Sequence, residues 1–240
     1  MASDPASNPT APSRRPFGDN PATALVRLGV IFAPLLGLAA AKFIDVPAFF
    51  ELAAWLATFL LAWLVLLRYG DGWRSIGMKA PPNGWRLFPQ VILATFILIV
   101  FSIATGIVIY ALTRSTADLS KVQDQAATPT RMAIMIVVIW ITAAFGEEML
   151  FRGVLMNGLA EFFAETEHRW LWALVVSSVA FGLLHFYQGP VGVVRTALIG
   201  AVLGFYYLWN QRNLWLCILV HGLFDTFNLA LLYVTSNTPH

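Results

Sequence analysis

Seven runs of about 17–25 mainly apolar residues dominate the chain and constrain its fold more than any other feature. The runs are Ala24–Ala41, Ala48–Leu67, Leu87–Leu112, Met132 to about Leu159, Trp170–Tyr187, Val191–Trp209 and Leu214–Val234. Runs of this length with few charges are typical of transmembrane helices. We therefore predict an all-α, polytopic transmembrane helical bundle with seven spans, or eight if the long fourth run breaks into two helices.

The composition leaves no room for a separate soluble domain. Of the 240 residues, 58% are hydrophobic and 12% are charged, whereas a soluble domain carries about twice that charged fraction. We expect a disordered tail at 1–20 and one membrane domain at 21–240, with the polar motifs at about 131–235. A net charge of +2 without a dense basic stretch gives no reason to expect a nucleic-acid partner.

Lysine and arginine residues in the loops predict the orientation. With the N-terminus inside, the inner side collects Arg14, Arg15, Arg27, Arg68, Arg74, Lys79, Arg86, Arg169 and Arg212. The outer side collects only Lys42, Arg114, Lys121 and Arg131. This asymmetry favours an inside N-terminus and an outside C-terminus. The size of the chain and its simple tail suggest a multi-pass protein of a bacterial cytoplasmic membrane.

The fourth run contains three charged residues, Glu147, Glu148 and Arg152. A charge near the bilayer centre costs at least about 2.5–3.5 kcal/mol, so an ionisable residue there is a candidate functional residue. On a helix, Glu148 and Arg152 are four residues apart and can form an ion pair. Glu147 points about 100° away and is free to face another element.

Two later runs contain further polar residues. His185 ends an apolar stretch of the fifth run, and His221, Asp225 and Asn228 share one helix face in the seventh. His185 alone, or Asn228 alone, is equally well explained as a hydrogen bond between helices. If the fourth, fifth and seventh spans pack together, Glu147 meets both histidines and Asp225.

Such a set of side chains has the chemistry for hydrolysis. A glutamate in a low-dielectric site is more basic than in water and can take a proton from a water molecule. Two histidines with carboxylates can also form a zinc site with room for that water. Without a metal, a histidine and Asp225 can hold the substrate carbonyl or stabilise the oxyanion. The residues leave both possibilities open.

Three short motifs follow one another along the second half of the chain, each within an apolar run. They are Glu147-Glu148-x-x-x-Arg152, Phe181-x-x-x-His185 and His221-x-x-x-Asp225. In order and spacing they resemble the motifs of the CPBP family, intramembrane endopeptidases that include Rce1-type CAAX prenyl proteases and abortive-infection-like proteins. The first half, 1–130, contains no matching motif.

The resemblance implies a role for each motif residue. Glu147 is similar to the general base, Glu148 to a supporting carboxylate, and Arg152 to its structural counter-ion. His185 and His221 resemble metal ligands or water-positioning groups, and Asp225 resembles a further ligand or an oxyanion-side group. The implied catalytic set is Glu147, Glu148, His185, His221 and Asp225. If Zn²⁺ is used, its implied ligands are Glu147, His185, His221 and Asp225.

The leading hypothesis is a membrane endopeptidase that acts on peptides or on membrane-associated or lipid-modified proteins. The alternatives are a proton-coupled transporter and a non-catalytic scaffold or immunity protein that uses the same buried polar network. Other intramembrane protease classes fit less well, because the chain contains no H-E-x-x-H, no glycine-flanked serine and no pair of intramembrane aspartates. The sequence predicts neither the substrate nor the oligomeric state.

Overall fold

The computed structural model describes residues 15–18, 20–41, 48–70, 72–81 and 83–237. Of the predicted disordered tail, residues 1–14 and 19 lie outside these ranges, as does Lys42. Phe17 is buried and its N–H donates to Glu161 Oε2 at 2.9 Å, so this part of the tail packs against the bundle. Within the described ranges, the regular elements are all helical and no strand occurs. The predicted all-α class is therefore confirmed.

The elements follow the predicted apolar runs. The α-helices are α1 (Pro21–Ala41), α2 (Ala48–Tyr69), α3 (Gly84–Thr113), α4 (Ser120–Gln125), α5 (Pro129–Ile139), α6 (Met156–Phe162), α7 (Arg169–Leu184), α8 (Gly189–Trp209) and α9 (Leu214–Asn237). A π-helix, Trp140–Leu155, joins α5 to α6, and short 3₁₀ helices occupy Gly72–Ile76 and Phe186–Gln188. The long fourth run is thus one helical path and does not break into two spans.

Six helical segments in the described residues are long and apolar enough to cross a membrane. The remaining predicted span is α7, which has 16 residues and is therefore about 24 Å long, against a hydrocarbon thickness of about 30 Å. Large apolar side chains such as Leu56, Phe96 and Ile107 are exposed on the outer surface of the bundle. That surface suits lipid, and the protein is an integral multi-pass membrane protein.

Loop contacts define the two ends of the bundle. The Leu214 N–H donates to the Gly77 carbonyl, which ties the α8–α9 turn to the α2–α3 connection. At the opposite end the Asp118 N–H donates to the Gln188 carbonyl. We call the first the basic end because its connections and helix termini carry Arg68, Arg74, Lys79, Arg86, Arg169 and Arg212. These residues belong to the set predicted to lie inside.

Close packing of α7 against α8 sets the position of the second motif. A Cβ atom added at Gly182 would lie 2.5 Å from the Val193 carbonyl oxygen and 2.7 Å from the Ala197 Cβ. Only glycine therefore allows the two backbones to approach this closely. The contact fixes the end of α7, from which His185 extends, relative to α8.

We predict that Gly182→Ala lowers the melting temperature of the detergent-solubilised protein. Overpacking of this kind costs about 1–3 kcal/mol, and here the obstructing atoms belong to a helix backbone and a neighbouring Cβ. The matched control is Gly29→Ala in α1, where an added Cβ meets nothing within 4 Å. Equal melting temperatures for the two variants would contradict the close packing.

Candidate active site

The first motif lies on the π-helix rather than on the α-helix that the apolar pattern predicts. At its end the Met156 N–H donates to the Phe151 carbonyl, five residues back. Segments with this hydrogen-bond register are rare and frequently occur at functional sites. Glu147 remains half-buried, whereas Glu148 and Arg152 are almost fully buried. The two adjacent glutamates therefore occupy different environments.

Glu148 connects the first and third motifs. Its Oε1 atom accepts a hydrogen bond from Arg152 Nη1 at 2.7 Å and contacts His221 Nδ1 at 2.8 Å. An ionised carboxylate can only accept, so Nδ1 of His221 carries the proton in this contact. The Glu148 side chain is completely buried, and its Oε2 atom has no hydrogen-bond partner among the described residues.

Arg152 extends this connection to α7 and α8. Its Nη2 atom donates to the Gly200 carbonyl of α8 at 3.0 Å. Its guanidinium carbon lies 4.5 Å from the centre of the Phe181 ring in α7, a distance suited to a cation–π contact. The buried cation is thus satisfied by a carboxylate, a carbonyl and an aromatic face. It joins three parts of the bundle around the predicted ion pair with Glu148.

His185 lies at the C-terminal end of α7, beside Phe181. Its Nδ1 atom lies 2.9 Å from the Phe181 carbonyl oxygen. Because a carbonyl oxygen accepts, Nδ1 donates there, and Nε2 of a neutral ring is left as an acceptor. The Phe181 ring packs against the imidazoles of His185 and His221, with centroids 5.0 and 6.2 Å away. Phe181 therefore contacts both histidines and helps to set the distance between their rings.

A cavity of about 360 Å³ brings the polar motif residues together. Its lining includes Glu147, His185, His221, Asp225 and Asn228, from the π-helix, the end of α7 and α9. Glu148 is not part of the lining. Residues of the α3–α4 connection and α4, which lie toward the end opposite the basic end, complete its wall. The predicted convergence of the fourth, fifth and seventh spans is present in the structure.

The four predicted zinc ligands all border this cavity, but they do not form a ready metal centre. Among the residues described, no group of three or more His, Cys, Asp or Glu side chains is placed to hold a metal ion. Nδ1 of His221 is engaged by Glu148, and Nε2 lies 3.4 Å from Asp225 Oδ2. The imidazole thus lies between two carboxylates, and the described side chains in this arrangement form no preassembled zinc site. The zinc site stays a prediction.

Comparison with known protein families gives a match for the part of the chain that contains the motifs. Residues 129–227 match the family model described as type II CAAX prenyl endopeptidase Rce1-like. This part of the chain is similar to the Rce1-like family. The family match contains all three motifs and confirms the predicted resemblance. We found no match to the chain among curated proteins or among solved structures.

The Rce1-like segment runs from the start of α5 into α9, and it covers less than half of the chain. Rce1-like proteins are a protease family, so the match supports an endopeptidase in general. Helices α1 to α4 lie outside the match, although α3 and α4 contribute residues to the cavity wall. The cavity is therefore built jointly by the Rce1-like segment and the preceding helices.

Polar residues outside the three motifs also line the cavity, among them Arg195 of α8 and Ser102 of α3. They are hydrogen-bonded to each other at 3.2 Å. The signal was present in the sequence, because Arg195 is the only charged residue in the sixth apolar run. It belongs to none of the three motifs.

We predict that Glu148→Gln destabilises the bundle. The substitution removes the charge that faces both Arg152 and His221 and strands a buried cation. Breaking a buried ion pair in this way costs about 3–5 kcal/mol in soluble proteins. The measurement is the melting temperature in detergent. Replacing the pair together, as Glu148→Gln with Arg152→Met, is expected to recover part of the loss, and an unchanged melting temperature in the single variant would contradict the structural role.

Proposed function

We propose that this protein is an intramembrane endopeptidase that hydrolyses peptide bonds of membrane-associated or lipid-modified proteins. The observation that carries the proposal is the division between the paired glutamates. Glu147 lines the cavity with His185 and His221, while its neighbour Glu148 is buried against Arg152. One carboxylate is thus available to substrate and the other holds the structure.

Glu147 is the proposed general base. Its carboxylate takes a proton from a water molecule in the cavity as the water oxygen attacks the peptide carbonyl carbon. The π bond of the carbonyl opens and leaves a negative charge on its oxygen. Glu147 then returns the proton to the amide nitrogen as the carbon–nitrogen bond breaks. The products are a carboxylic acid and an amine, so atoms and charge balance.

The histidines and Asp225 act around this reaction. His185 presents Nε2 to the cavity because its Nδ1 is engaged by the Phe181 carbonyl, and it is suited to orient the attacking water. His221 is fixed between Glu148 and Asp225. With Nδ1 held by Glu148, the protonated Nε2 leaves its 3.4 Å contact with Asp225 and donates a hydrogen bond to the developing oxyanion. No step in this mechanism passes through a metal.

The membrane setting and the family description both support a class of substrate. The family description names a CAAX prenyl endopeptidase, which suggests a lipid-modified peptide. We propose for this chain a peptide substrate presented from the bilayer, with or without a prenyl group. A prenylated CAAX peptide and a mixture of unmodified apolar peptides, incubated with purified protein and analysed by mass spectrometry, distinguish the two cases.

We predict that Glu147→Gln abolishes cleavage while leaving the melting temperature unchanged or raised. Glutamine keeps the shape of the side chain but cannot act as the base, and a general base contributes about 10²–10⁴-fold to the rate. The matched control is Glu165→Gln, an exposed glutamate in the loop between α6 and α7. Near-wild-type cleavage by the Glu147 variant would mean that Glu147 is not the base and that the roles of the two glutamates must be exchanged.

A chelation experiment tests the zinc prediction. Because the described side chains do not assemble three metal ligands, we expect cleavage to persist after stringent chelation, with less than one equivalent of metal retained by elemental analysis. Activity that falls with the chelator and returns with added Zn²⁺ would instead support the zinc set of Glu147, His185, His221 and Asp225.

A further inference from the structure

Arg195 is a charged residue in an apolar helix. The proposed reaction assigns it no role. It lies six residues after the start of α8, about 9 Å along the helix axis. An arginine within a membrane span is costly, and such residues almost always pair with another group or mark a substrate path. The cavity that contains Glu147 includes Arg195 in its lining.

The contacts of Arg195 do not balance its charge. The ion pairs among the described residues are Glu148 with Arg152, Glu148 with His221, and His221 with Asp225. Arg195 takes part in none of them. Its Nη2 atom donates to the Ser102 hydroxyl at 3.2 Å, and its Nε atom is buried without a partner in the described part of the chain. By contrast, Arg152 has a carboxylate, a carbonyl and an aromatic ring as partners.

The surface of α3 that faces Arg195 consists of small residues. Ser102 and Gly106 are one helical turn apart on this face, and a Cβ added at Gly106 would lie 3.7 Å from the guanidinium carbon. The guanidinium therefore lies between α3 and the cavity. Among the described residues, its hydrogen-bond partner is the Ser102 hydroxyl. A planar guanidinium with unused donors matches the two oxygens of a carboxylate, which it binds through paired hydrogen bonds.

We propose that Arg195 and Ser102 form a binding site for the C-terminal carboxylate of the peptide that is cleaved. The inference rests on the proposed protease function. Arg195 and the proposed base Glu147 line the same cavity, so a peptide end held at Arg195 lies in the space that Glu147 faces.

A second cavity indicates where the part of the peptide that lies farther from the carboxylate would bind. It has a volume of about 180 Å³ and also borders Glu147 and His185. The rest of its lining is mostly apolar and includes Leu35, Leu38, Ala39, Trp55, Phe151 and Leu184. The two cavities therefore meet at the proposed base. With the carboxylate at Arg195, the remainder of the substrate extends toward the apolar space between α1, α2 and α7.

The test compares matched peptides that end in a free carboxylate or in a carboxamide. The probes are a prenylated CAAX peptide and a mixture of short apolar peptides, each made in both forms, and the readout is kcat/KM for the full-length protein in detergent. We expect the wild-type protein to favour the carboxylate form by about 10- to 100-fold, the range for a hydrogen bond to a charged group. Arg195→Gln is expected to reduce this preference to near one, mainly by slowing the carboxylate form, and Arg195→Lys to keep part of it.

The matched control is Arg131→Gln, an exposed arginine at the N-terminus of α5, which is expected to keep the full preference. A purely structural Arg195 would slow both peptide forms equally in the Arg195→Gln variant. That result, or equal cleavage of both forms by the wild-type protein, overturns the proposal. If Arg195→Gln fails to fold, equal cleavage of both forms by the wild-type protein still overturns the proposal, and Arg195→Lys tests the assignment to this residue.

A binding measurement separates this proposal from the proposed function. Protein carrying Glu147→Gln is titrated with the same peptides, and the dissociation constants of the carboxylate and carboxamide forms are compared. Tighter binding of the carboxylate form, lost on adding Arg195→Gln, supports the site even if the wild-type protein cleaves nothing and the protease function fails. Equal dissociation constants for both forms overturn the carboxylate site and leave the protease function to stand on cleavage alone.

Discussion

One oxygen of the Glu148 carboxylate is shared by two cationic or protonated partners, and the geometry of the site depends on this sharing. Arg152 approaches from the same π-helix, and His221 approaches from α9. Arg152 then reaches the Gly200 carbonyl and the Phe181 ring. Such a network is strong only when it is complete, because an unpaired charge in a medium of low dielectric costs several kcal/mol. The second oxygen of Glu148 is already without a partner in the described structure, so the network has little tolerance for further loss.

The environment of each glutamate follows from its position on one helix. Glu148 faces the packed interior and cannot move without disturbing helices α7, α8 and α9. Glu147 is its immediate neighbour, yet it borders both cavities. A buried ion pair thus fixes the backbone from which a reactive carboxylate extends into space. This arrangement keeps the backbone of the proposed base in place.

The sequence allowed the prediction of the helical class, the approximate spans and the meeting of Glu147 with His185 and His221. The first two follow from the length of the apolar runs, and the third follows from matching polar residues in three spans. The π-helix at Trp140–Leu155 was not predictable in this way, because apolar residues on every side of a helix do not indicate which hydrogen-bond register it uses.

The contacts of Arg152 and Arg195 also escaped prediction, for different reasons. A backbone carbonyl such as that of Gly200 leaves no mark in a sequence, so its bond with Arg152 becomes visible only when α8 is positioned. Arg195, in contrast, is recognisable in the sequence as a single charged residue within an apolar run. Its partner, Ser102, is an ordinary small polar residue of a distant helix. A search limited to known motifs passes over such a pair.

The short length of α7 affects the lipid around the protein. Its lipid-facing side chains, including Leu171, Val175, Val179 and Leu183, are exposed over a helix about 6 Å shorter than the hydrocarbon layer. A bilayer accommodates such hydrophobic mismatch by thinning locally or by drawing flanking polar groups inward. His185 lies at one end of this helix, so thinning there brings the headgroups and their hydration close to the cavity. The membrane itself would then deliver water to a site enclosed by apolar helices.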